Sequence, residues 1–193
     1  MKTFILFIIL TFPFCSVRCN TCFSHRTIVC DVHQDTDSHI TTFLDWTISE
    51  TVPLYNSPGG SILTNLLCKN ENTDDITMMD ILEVNDSMYQ VSVFSGESDS
   101  VIGKGWIYKD IPIRVVDRLY NSGDELIIFD KPNGMNVIIS LTATELPDTG
   151  LLNVINVCID NGWIKIRIWK DNQTVEGWIP PGSYCSNPYT TCG

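Results

Sequence analysis

The chain has 193 residues, 12 basic and 23 acidic, for a net charge of −11. That balance excludes binding to nucleic acid or anionic lipid through bulk electrostatics and leaves cationic or neutral partners open. The length suits one medium domain or two small ones, and no apolar run after the first residues is long enough to predict a membrane-spanning helix.

Lys2 followed by the apolar run 4–14 reads as a signal peptide, residues 1–19, too short to cross a bilayer. Cleavage is expected between Ser16 and Asn20. Loss of Lys2 and Arg18 then takes the net charge from −11 to −13. The expected location is exported: the periplasm, the cell surface or the medium. Of eight cysteines, Cys22, Cys30, Cys68, Cys158, Cys185 and Cys192 lie beyond this leader. An oxidising compartment makes disulfides the default. Cys185 and Cys192 bracket "SNPYTT" and are expected to staple the C-terminal tail. The pairing of Cys22, Cys30, Cys68 and Cys158 stays open.

The N-terminal segment, 20–48, contains "CFSHRTIVCDVH". Cys22-x-x-His25 and Cys30-x-x-His33, with His39 beyond, could form a tetrahedral zinc site or a cysteine hydrolase built from Cys30 and His33. Export favours a Cys22–Cys30 disulfide with surface histidines instead. The expectation is no metal, no cofactor and no catalytic residue.

The body of the chain reads as all-β. "ELIIFD", "MNVIISL", "LLNVINVCI", "WIKIRIW" and "TVEGWI" are short and rich in β-branched or aromatic residues. Turn signals separate them: "KPNG" (131–134), "PDTG" (147–150), "DNG" (160–162) and "KDNQ" (170–173). Ile164, Ile166 and Ile168 alternate with Lys165 and Arg167, one dry face and one wet. "ILTNLLCKNENTDDITMMDIL" reads as a long loop. "KDIPIRVVDRLYNSGD" reads as a short linker whose Ile111, Ile113, Val115 and Val116 want burial.

The two halves match in register. "VPLYNSPGG" (52–60) aligns with "LIIFDKPNG" (126–134), "NDSMYQVSV" (85–93) with "DNGWIKIRI" (160–168), and "GKGWIYKDIP" (103–112) with "VEGWIPP" (175–181). The offset stays within 72 to 75 residues, which predicts a duplication. This order of Pro-Gly turn, hairpin and Gly-Trp-hydrophobic strand resembles bacterial SH3 domains over residues 50–181. The resemblance implies two tandem small SH3-like β-barrels, 49–115 and 116–193, the second ending in the disulfide-closed tail. The first copy departs from the pattern, with Met88 where the second has Trp163. Trp106 and Trp178 are expected to plug the barrels, with Gly177 allowing close backbone crossing. Trp163, next to a hairpin turn, is expected to reach a ligand groove.

The resemblance further implies a non-enzymatic binding module for cell-wall (peptidoglycan) peptide or a proline-containing segment of an envelope protein. An extended peptide would lie on exposed aromatics, for which the candidates are Tyr55, Tyr89, Tyr108, Phe129, Trp163 and Trp169. Acidic charge would favour peptides with free amines. The alternatives are a structural, assembly, inhibitor or immunity protein of the envelope, and a Cys/His-dependent enzyme or zinc site at the N-terminus. Asn85-Asp-Ser87 and Asn172-Gln-Thr174 match the Asn-glycosylation sequon. In a bacterial chain such matches are mostly chance.

Overall fold

The computed structural model describes residues 40–121, 123–146 and 150–188. The leader, the cysteines and histidines of the N-terminal segment, and Cys192 lie outside them. The described chain is all-β and antiparallel. Its first six strands are β1 (Ile40–Leu44), β2 (Thr51–Tyr55), β3 (Ile62–Leu67), β4 (Thr77–Val84), β5 (Met88–Ser95) and β6 (Val101–Tyr108). The next six are β7 (Ile113–Asp117), β8 (Glu125–Phe129), β9 (Val137–Thr142), β10 (Leu151–Cys158), β11 (Trp163–Lys170) and β12 (Gln173–Ile179), and a short β13 (Tyr184–Cys185) follows.

The strands form one open hydrogen-bonded path: β3-β2-β6-β5-β4-β1-β7-β10-β11-β12-β8-β9. Read outward from the middle, the order on one side repeats the order on the other, with β1 standing for β7 and β6 for β12. Local irregularities repeat too. The register shifts between Leu54 and Tyr55 and between Ile128 and Phe129. It shifts again between Ile81 and Glu83 and between Val154 and Asn156. Such bulges bend a strand by inserting an unpaired residue, so equivalent strands bend at equivalent places.

Turn chemistry repeats as well. Gly59 and Asn133 adopt φ of +69° and +53° at matching positions of "NSPGG" and "DKPNG". In both loops the fifth residue after the strand's end pairs back: Gly60 N donates to Ser57 O at 2.9 Å, and Gly134 N donates to Lys131 O at 3.0 Å. Asp171 and Asn172, both at positive φ, close the two-residue β11–β12 hairpin. Two left-handed residues match the twist of the flanking strands.

Three expectations require correction. The supposed loop at 62–82 contains β3 and the start of β4. Its pattern was hidden because β3 is an edge strand with most side chains in solvent, so apolar alternation does not report burial there. The supposed linker is β7, the central strand, paired with β1 and β13 on one edge and β10 on the other. The boundaries shift with it. β1 lies within the segment set apart as 20–48 yet pairs with β4, and a 115/116 boundary would cut β7.

The core is continuous across the seam. One buried cluster takes Ile40, Leu44, Met79, Ile81 and Ile107 from the first half and Ile113, Leu126, Ile164, Ile166 and Ile179 from the second. The Ile164, Ile166 and Ile168 face is buried, as its alternation requires. Asp45 ties the seam: its carboxylate accepts from Arg114 Nε at 2.5 Å, and its N–H donates to Pro112 O at 3.0 Å.

Candidate functional site

The outer face of the first half gathers three aromatics. Trp106 stands directly across from Tyr55 where β6 meets β2. Tyr108, two residues on, returns to the same face by strand alternation. Its ring meets Tyr55 edge to face, with centroids 5.2 Å apart and planes at 79°. That geometry places the positive ring edge against a negative face. Gln90 and Met88 sit across from Trp106 and Tyr108 on β5, and Ile62 sits across from Tyr55 on β3. Trp106 is thereby nearly covered, Tyr55 is half-buried and Tyr108 is 37% exposed.

A glycine makes this junction possible. A Cβ on Gly105 would lie 2.6 Å from Tyr55 O and 2.8 Å from Leu54 Cγ. At one end of the ledge the Asn85–Ser87 turn adds charge. Lys109 N donates to Ser87 O at 2.9 Å. Desolvation lowers the pKa of the Lys109 ammonium, and the Asp86 carboxylate opposes that shift. The surface offers flat aromatic area and two phenol hydroxyls. It suits a ring-bearing or amine-bearing extended segment. Sequence reasoning missed Gln90 and Ile62, because only strand register sets them across from Trp106 and Tyr55.

The second half uses equivalent positions differently. Phe129 replaces Tyr55 and stands across from Trp178. Trp163 packs edge to face on Phe129, with centroids 5.5 Å apart. Trp163, Trp178 and Cys158 form a buried cluster against Phe129. The expectation that Trp163 lines a groove is corrected: it is only 8% exposed. Gly162, at φ +70°, ends the turn just before β11, and the Trp163 indole that follows packs on Phe129. Tyr89 is corrected likewise. It is fully buried, its hydroxyl has no hydrogen-bond partner among the described residues, and burial pushes its pKa upward. Trp169, 65% exposed on β11, stands apart from both clusters. The candidates thus divide into one partly exposed pair, Tyr55 and Tyr108; one covered pair, Phe129 and Trp163; a core residue, Tyr89; and an isolated surface indole, Trp169.

A second concavity of about 410 Å³ is lined by Arg118, Tyr120, Asp124, Glu125, Gly182 and Ser183, among others. Its charged groups are already engaged within the protein. The Arg118 guanidinium lies 5.9 Å from the Tyr120 ring centre, Asp124 accepts from Asn121, and Glu125 accepts from Ser140. Among the described residues no group of three His, Cys, Asp or Glu side chains could hold a metal ion. Cys68 is a free, buried thiol. Cys158 and Cys185 are engaged in bonds of their own. Cys192, the expected partner of Cys185, lies outside the described residues. Among those residues no helix is long and apolar enough to cross a membrane.

Fold and ledge together define an all-β protein of two repeated six-strand units with a surface aromatic pair on the first. No protein-family model matches the chain. No curated protein matches it in sequence. Among solved structures it is similar to NlpC1 from Trichomonas vaginalis, with a TM-score of 0.30 and 14% identity. The match covers 82% of this chain and 49% of that one, so the chain spans about half its length. A likeness of that degree carries no functional argument.

Proposed function

We propose that the protein is an exported, non-enzymatic binding module made of two SH3-like units, and that its ligand is an extended peptide laid on the Tyr55–Tyr108 ledge. The observation that carries the reading is the partly exposed edge-to-face tyrosine pair beside a nearly buried Trp106. The repeated strand order supports the two-unit architecture. Aromatic ledges hold proline-bearing and extended segments because the rings are rigid and lose little entropy on contact. The acidic chain favours a ligand with free amines, as cell-wall peptides have. A proline-containing segment of an envelope protein is the other ligand of this shape.

Titration calorimetry with soluble cell-wall stem peptides and with proline-rich peptides tests the reading. Tyr108→Ala removes an exposed ring and is expected to weaken binding about tenfold, on the order of 1.4 kcal/mol, with thermal stability nearly unchanged. Equal affinity in wild type and Tyr108→Ala would remove the ledge from the binding site. Stoichiometric capture of one envelope protein, with no affinity for either peptide class, would move the assignment to assembly.

A further inference from the structure

We propose that Asn172 is an N-glycosylation site and that its first sugar packs on Trp169. The inference rests on the export reading of the leader. Asn172-Gln173-Thr174 satisfies the sequon, and the structure places it in the tight hairpin between β11 and β12. All four residues from Asp171 to Thr174 are exposed. The Asn172 side chain makes no hydrogen bond among the described residues, although its backbone, at positive φ, helps close the hairpin. The other sequon differs. Asn85 Oδ1 accepts from Ser87 N at 3.0 Å and Met88 N at 2.7 Å, and so holds its own turn.

Trp169 is the independent observation. It is an indole set largely in water, on a strand whose other large apolar residues are buried. Neither the core nor the tyrosine ledge uses it. Register pairs it directly with Thr174, the third residue of the sequon. Cross-strand neighbours of this kind are in side-chain contact range. Asn172 is two residues from Thr174, so a sugar on its Nδ2 begins within reach of the indole. The apolar face of an N-acetylhexosamine ring is flat and lined with C–H groups, and it covers an indole as an aliphatic side chain would. In the transfer, Asn172 Nδ2 attacks the anomeric carbon of a lipid-linked diphosphate oligosaccharide. The C–N bond forms, the bond from that carbon to the diphosphate oxygen breaks, and the amide proton passes to the transferase's base. The lipid diphosphate leaves.

Mass spectrometry of the protein isolated from its source tests the site. The N-terminal peptide reports leader removal. Peptide-N-glycosidase in heavy-oxygen water converts a glycosylated Asn172 to labelled Asp. A leader-cleaved chain labelled at position 172 is the expected result. A leader-cleaved chain with unmodified Asn172 overturns the site while leaving export intact, and an uncleaved, unmodified chain overturns both. In protein secreted from a glycosylating host, Trp169→Ala should lower Tm by several degrees more in the glycosylated chain than in an Asn172→Gln background. Equal losses would overturn the packing of sugar on indole.

Discussion

A β-carbon at position 177 would stand 2.4 Å from Ile128 Cγ2 and 2.7 Å from Phe129 O. One of those atoms belongs to a buried side chain and the other to the backbone of a paired strand, so neither yields cheaply. Gly105 meets the same obstruction from Tyr55 O and Leu54. Gly103, on the same strand, does not: its nearest neighbour would be Leu54 Cδ2 at 3.8 Å. Gly177→Ala and Gly105→Ala should each cost about 2–3 kcal/mol in urea unfolding, whereas Gly103→Ala should stay within about 0.5 kcal/mol. Cys68 gives a second prediction at this scale. Burial, followed by the Asp45 charge, pushes its pKa from 9.0 up to about 11. The unfolded thiol ionises first, so stability is undiminished below the ordinary value and falls as pH rises toward 11. At pH 8.5 a thiol reagent should label Cys68 only after denaturant is added. The glycine and the residue after it were legible from the repeated Gly-Trp; the burial of Tyr89 and Trp163 was not, since an aromatic beside a turn can face either way.

Strands meet at Asp45, which is 1% exposed. Its carboxylate accepts from Arg114 Nε, Thr47 N and Thr47 Oγ1. Asp117 repeats half of this arrangement, accepting from Leu119 N at 2.9 Å as Asp45 accepts from Thr47 N. Removing one member of a buried pair strands the other's charge, so Asp45→Ala should cost about 3–5 kcal/mol. Asp45→Ala combined with Arg114→Met should recover part of the loss, because no uncompensated charge then remains; a strictly additive double variant would refute the coupling. Elements with both faces defined, such as β11 with its alternating isoleucines, were readable in one dimension. β3 and β7 were not. β3 is an edge strand whose exposed residues carry no burial signal, and β7 is a short apolar stretch that a linker and a central strand could share.

At the scale of the molecule, β1 and β7 join the repeats into one sheet path, and one buried cluster draws on both. Asn187 Nδ2 also reaches Gly96 O at 3.4 Å, carrying the tail of the second half onto the first. The halves should therefore unfold together. Calorimetry should give a single transition whose van't Hoff and calorimetric enthalpies agree. Two resolved transitions would show that the seam contributes little. Sequence alone determined the β character and the internal repeat. Both are written in local chemistry: turn residues that need positive φ, alternation that needs one dry face, and glycines that recur before tryptophans. Only the tertiary structure decided that the supposed linker is the central strand, and that Tyr55 and Tyr108 meet in the open while Phe129 and Trp163 meet under cover. Those outcomes depend on which strands become neighbours, and strand neighbours are chosen by contacts between residues far apart in the chain.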